Sequence, residues 1–219
     1  MGTITRTFAN NITTSGVFKP TAFNNASFDN VTAVPSGAVE GGNMVLLSTQ
    51  TASGDASISF TTGIDSTYKE YMFVLNNIHP ANDGPDFTFN LSTDGGSNYN
   101  VTKTTTFFWS GHDEASTDPV LEYRPTQDLA QSTAYQEIGS SVGNDNDQSC
   151  SGTLTLFQPS STTYVKHFIT DINSYYSFNS SINSKVAGYA NTTSAINAVD
   201  FKFASGNIDA GTIQMFGIL

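Results

Sequence analysis

Asn197–Ser205 (NAVDFKFAS) and Ala210–Leu219 (AGTIQMFGIL) place Val199, Phe201 and Phe203, then Ile213 and Met215, at every second position. Apolar residues at period two line one face of a pleated strand, so each run reads as a half-buried strand. Gly206–Asp209 between them contains the Gly-Asn pair expected of a turn. The two runs are therefore expected to form a closing hairpin, with the last strand sewn into a sheet.

The same pattern extends backwards through most of the chain. Asp86–Ser92 (DFTFNLS) sets Phe87, Phe89 and Leu91 on one face, and Thr93–Ser97 (TDGGS) reads as a hairpin turn into a strand over Tyr99–Trp109. Glu70–Asn77 (EYMFVLNN) is a continuous apolar run, the mark of a central strand covered on both faces. Met44–Gln50, Ala56–Thr62, Ala134–Gly139, Cys150–Phe157, Tyr164–Thr170 and Lys185–Asn191 complete the strand series. Ser110–Asp128 is the least regular stretch, and Gly143–Gln148 (GNDNDQ) is a polar turn. About ten to twelve short strands at this spacing, with no helical run of two turns, predict an all-β, jelly-roll-like β-sandwich.

Composition agrees. The chain has 219 residues, 16 Phe, 9 Tyr and only 12% charged residues, about half the ~25% of ordinary soluble domains. Thr, Phe and Tyr favour strands, and few Lys, Glu or Leu remain for helix surfaces. Eight Lys+Arg against a net charge of −11 leave no basic patch to neutralise phosphates or dock on anionic lipid, which argues against nucleic-acid and membrane partners. No apolar stretch reaches the length of a membrane span or signal peptide. The single cysteine, Cys150, excludes an intrachain disulfide and reads as a small buried hydrophobe.

Residues 1–42 differ from residues 43–219. One short alternating run ends at Phe8, and then Phe18, Phe23 and Phe28 stand isolated in polar surroundings, with FNNAS echoed by FDNVT. Too few apolar residues are present for a separate core. The segment reads as an extended arm whose phenylalanines are buried at an attachment or inter-subunit contact, in preference to a disordered leader. Pro35 and Gly37–Gly42 mark the linker.

Catalytic chemistry finds little footing. His79, His112 and His167 have no nucleophile-elbow or Cys/His signature beside them. Asp113, Glu114 and Asp118 supply carboxylates for glycoside hydrolysis, but acidic residues in a polar loop are ordinarily solvated. The chain reads as a non-enzyme with no cofactor. Asn144–Asp147 clusters oxygen ligands of the kind Ca²⁺ prefers, with Asp145 and Asp147 as weak candidates, but it lacks the invariant Gly and terminal Glu of a calcium loop. Trp109 with His112 and Asp113, or Tyr175 with Tyr176, would give an aromatic platform beside hydrogen-bonding groups, as glycan binding requires. The competing assignment, that Trp109 and one of the tyrosines belong to the core, is favoured because aromatics are plentiful here.

Several runs together resemble virion structural proteins of tailed bacteriophages, particularly phages of marine bacteria: MGTITRTFANNITTSGVF, FNNASFDNVTAVP, SFTTGIDSTYKEYMFVL, NIHPANDGPDFTFNLSTDGGSNY, GTLTLFQPSSTTYVKHF and INAVDFKFASGNIDAGTIQMFGI. They cover most of the chain. The resemblance implies a non-enzymatic β-sandwich on the particle surface, as tail fibre, head fibre, capsid knob or decoration protein, with no catalytic residues to carry over. It further implies a homotrimer, other capsid or tail proteins as partners, and assembly in the host bacterial cytoplasm. The alternative is a carbohydrate-binding module that recognises host surface glycans.

Overall fold

The chain divides into two units, 1–42 and 43–219, and the computed structural model describes residues 44–219. Phe8, Phe18, Phe23 and Phe28 lie outside the described residues. Twelve strands and no helix make up the described part: β1 (Met44–Thr51), β2 (Ile58–Phe60), β3 (Glu70–Pro80), β4 (Phe87–Ser92), β5 (Lys103–Asp113), β6 (Val120–Tyr123), β7 (Gln136–Gly139), β8 (Cys150–Phe157), β9 (Lys166–Tyr176), β10 (Ser180–Ala190), β11 (Ala198–Phe203) and β12 (Ile208–Ile218). They form an eight-stranded sheet, β1-β12-β3-β8-β9-β10-β5-β6, and a four-stranded sheet, β2-β11-β4-β7. Every strand pairing is antiparallel.

The strand order contains a complete jelly roll. With β5, β6, β9 and β10 set aside, the remaining strands pair first with last (β1–β12), second with seventh (β2–β11), third with sixth (β3–β8) and fourth with fifth (β4–β7). That is one long antiparallel ribbon folded over so that alternate pairs fall in opposite sheets. The β12–β3 and β11–β4 ladders close the winding. Two further hairpins, β5–β6 and β9–β10, are inserted into the ribbon and extend the larger sheet beyond β8.

The interior is built from the alternating faces. Phe60 and Phe201 of the small sheet meet Phe73 of the large one, Phe87 and Phe89 pack beside Phe201, and Phe89 packs edge-on against Phe168 of the inserted hairpin at 5.0 Å. Tyr71 is fully buried, and its hydroxyl donates to the Asp65 carbonyl and accepts from the Asp65 amide. Cys150 is buried, and loss of water pushes its thiol up to about 12. It is a packing residue, as its sequence context indicates.

Two expected hairpins are corrected. Both β11 and β12 exist, but β11 pairs with β2 and β4 while β12 pairs with β1 and β3, so the chain crosses between sheets at residues 204–207. The last strand also begins two residues early, at Ile208. Likewise, the TDGGS turn forms, with Gly95 and Gly96 at φ 71° and 88°, but it leads from the small sheet to β5 in the large one. Turn chemistry was right and partnership wrong, because the residues that reverse a chain also carry it across a sandwich. Strand β5 starts at Lys103 and runs on through Asp113, into the stretch read as irregular. Strand β3 is central, but Met72 and Val74 on its outer side are half-buried, so only its inner face is fully covered.

Candidate functional site

The sequence-derived glycan residues gather at one end of the inserted hairpins. Trp109, His112 and Asp113 lie along the end of β5. Tyr175 and Tyr176 close β9, directly before a three-residue turn in which Asn179 adopts a left-handed φ of 56°. Register sets Ser181 of β10 between Tyr175 and His112. Because successive residues of a strand face opposite ways, Tyr175 and Tyr176 part company. Tyr176 joins Trp109, His112, Asp113 and Phe178 around one open depression of about 440 Å³. Tyr175 lines a neighbouring groove of about 490 Å³ with Glu114, Asp147, Asn173 and Ser181.

Within the first depression the aromatic rings form a short ladder. Trp109 meets Tyr176 edge-on at 6.0 Å, and Tyr176 meets Phe178 at 5.5 Å. The Arg124 guanidinium lies 4.1 Å above the Trp109 ring, and the same arginine is held by Glu122 at 3.0 Å. The indole nitrogen is buried with no hydrogen-bond partner among the described residues. Trp109 therefore belongs to the margin of the core and has one face already occupied. Phe178, at the hairpin tip, is 76% exposed and offers the open ring. Sequence reasoning passed over it, and its one signal was a large apolar residue beside Asn179 in a tight turn.

The candidate polar groups are partly committed elsewhere. Asp113 accepts from the Thr117 hydroxyl at 2.6 Å and from the Thr117 and Asp118 amides at 2.8 Å. The Thr117 hydroxyl first, then those amides, hold its carboxyl down at about 2. It caps the β5–β6 turn and stays ionised. His112 Nδ1 sits 2.9 Å from the Asp113 carbonyl. Glu114 accepts from the Tyr175 hydroxyl at 2.8 Å. This second groove is thus a row of amide, hydroxyl and carboxylate groups around Tyr175.

For the calcium candidates, Asp145 closes its own turn. Its carbonyl accepts from the Gln148 amide at 2.8 Å, and its carboxylate lies 3.4 Å from the Gln148 side-chain nitrogen. Asp147 lines the Tyr175 groove. Among the described residues no cluster of three or more His, Cys, Asp or Glu is placed to hold a metal. His79 lies near the Asp145 carbonyl and Asp209, while His167 faces outward beside Tyr189.

One carboxylate away from the grooves has a strong shift. Burial, and then the charge of Asp86, push Glu137 up from 4.5 to about 7, against the opposing Ser140 hydrogen bond and Arg124. A raised folded-state value means that stability is fully present below the unfolded value of 4.5 and is lost as pH rises through 7. Glu137→Gln removes that loss, so its benefit over the parent protein is expected to grow by roughly 2–3 kcal/mol from about pH 5 to about pH 8. Thermal melts of both proteins across that range measure it, and parallel stability curves would refute the assignment.

No protein-family model matches the chain, and the curated proteins and the solved structures likewise give no match.

Proposed function

We propose that this chain is a non-enzymatic structural protein of a phage virion, displayed on the particle surface as a fibre, knob or decoration protein. The observation that carries the reading is the jelly-roll winding of eight antiparallel strands, an architecture used by viral capsid and lectin domains. The fold does not imply the role by itself; the sequence resemblance supplies the rest. Labelling purified particles with an antibody to this chain tests it. Decoration of the particle surface is the expected result, and absence of the chain from intact particles sinks the proposal.

The proposed assembly is a homotrimer attached to capsid or tail proteins through residues 1–42. The outer face of the large sheet supports self-association. Met44 and Leu46 are exposed there, with Leu46 in register with Phe216 and Phe216 in register with Met72. A contiguous apolar row on a sheet face marks an interaction surface. Light scattering is expected to give about three times the 23.4 kDa chain mass. Leu46→Asp is expected to return it to a single chain with its circular dichroism intact. Removing residues 1–42 is expected to leave soluble protein that no longer joins particles.

The second reading, recognition of host surface glycans, rests on the exposed Phe178 ring beside Tyr176 and the hydroxyl-rich groove next to it. Sugars stack on open aromatic faces and hydrogen-bond to flanking polar groups. Loss of a ring contact worth about 1.4 kcal/mol weakens binding tenfold. Phe178→Ala is therefore expected to abolish most binding on a glycan array or in calorimetry. Equal binding by parent and variant would exclude this site. Release of reducing ends from the glycan would instead indicate a depolymerase.

A further inference from the structure

Lys103, the first residue of β5, is completely buried. Its Nζ donates to Asn90 Oδ1 at 2.5 Å and to the Val101 carbonyl at 2.9 Å, and no carboxylate pairs with it among the described residues. A buried ammonium facing only neutral acceptors is costly, and the amine sheds its proton more readily. Burial draws it down to about 7, so much of it is the nucleophilic free base at neutral pH. No dissolved electrophile can reach a fully buried nitrogen. The groups it can reach are the two it already touches.

Of these, the Asn90 side chain is built as an acceptor of attack. Asn90 is completely buried in β4. Its Nδ2 donates to the Tyr99 and Thr133 carbonyls at 2.7 and 3.0 Å, which fixes the amide plane. Its Oδ1 also accepts from the Leu91 amide at 2.9 Å. A fixed backbone N–H at that oxygen stabilises negative charge as it develops there. Holding amine and amide in contact also supplies the proximity that a bimolecular reaction lacks. The Val101 carbonyl has no comparable outcome, since expelling its nitrogen would cut the main chain.

We propose that Lys103 and Asn90 become covalently joined by an isopeptide bond. The Nζ lone pair adds to Asn90 Cγ and forms the new C–N bond, with the developing oxyanion at Oδ1 against the Leu91 N–H. The tetrahedral adduct collapses, the Cγ–Nδ2 bond breaks, and Nδ2 leaves as ammonia with the proton given up by Nζ. Nothing is oxidised or reduced, and no other reactant is consumed. Asp200, the partner of Asn90 across the β4–β11 ladder, is a buried carboxylate on the same face whose oxygens accept from the Ser59 and Tyr135 hydroxyls. The product rivets the small sheet to the large one, because β4 and β5 lie in different sheets. This inference is independent of the virion reading.

Mass spectrometry of the denatured full-length chain tests it. The expected mass lies about 17 Da, one ammonia, below that required by the residues. Trypsin then fails to cut after Lys103 and does not cut between Arg124 and Pro125, so residues 70–166 remain one piece, and a further cut after Tyr99 leaves two fragments still joined. Lys103→Arg and Asn90→Ala are each expected to restore the full mass. The parent protein alone decides the matter even if a variant fails to fold. An unchanged mass with ordinary cleavage after Lys103, or an ammonia loss mapped to another residue, overturns the proposal.

Discussion

Phe201→Ala is expected to remove about 3–5 kcal/mol of stability, the cost of truncating a buried phenylalanine. Phe201 is fully buried on β11, with ring centroids of Phe73, Phe87, Phe60 and Phe89 at 5.4, 6.1, 6.3 and 6.4 Å. Three of these neighbours belong to the small sheet and Phe73 to the large one. The ring is therefore part of what holds the two sheets together. Alanine leaves a cavity bounded by rigid aromatic rings on facing sheets, which can collapse only in part. Against a total of about 5–15 kcal/mol, most of the margin is consumed. For a domain of this size that is roughly 6–20 °C in melting temperature. Phe203→Ala should be strongly destabilising as well, though less so, since Phe203 has Phe87, tilted against it at 4.9 Å, as its aromatic neighbour. A melting temperature within a degree of the parent for Phe201→Ala would mean that the inter-sheet core is not where this ring lies.

How far the sequence could be read follows from what period-two alternation reports. It tells which residues of a strand share a face, and so it identified Phe87, Phe89, Phe201, Phe203, Ile213 and Met215 as core, all of which are buried. It is silent on which strand lies alongside. The Gly-rich turns after β4 and β11 would serve a hairpin or a sheet crossing equally well, and both proved to be crossings. Conversely, the true hairpin between β9 and β10 turns on Ser177–Asn179, which lacks the Asn-Gly or Asp-Gly signal.

The site was legible in the same partial way. Trp109, His112, Asp113 and Tyr176 do converge, since they sit at the ends of paired strands. The parting of Tyr175 from Tyr176 follows from alternation once both are placed in a strand. The cap that Asp113 makes to Thr117 is a local pattern of a short polar side chain and a hydroxyl four residues on. By contrast, the Arg124 guanidinium over Trp109 and the Lys103–Asn90 contact depend on register between elements. No local spacing encodes them.

Deletion of Gly211–Leu219 is expected to have the largest effect and to give insoluble protein. Strand β12 lies inside the eight-stranded sheet, between β1 and β3, and its loss removes Ile213 and Met215 from the core. It also strands β1, whose one ladder is with β12, and bares the edge of β3 over Glu70–Asn76. That edge carries Tyr71, Phe73 and Leu75 on one face and Met72 and Val74 on the other. A long apolar strand with unpaired N–H and C=O groups is a template for intermolecular pairing. A closing hairpin would have forfeited one ladder, whereas this position forfeits two and unwinds the first pair of the jelly-roll ribbon. The soluble fraction after centrifugation is the readout. A truncated chain that stays soluble and melts like the parent would place residues 211–219 outside the sheet.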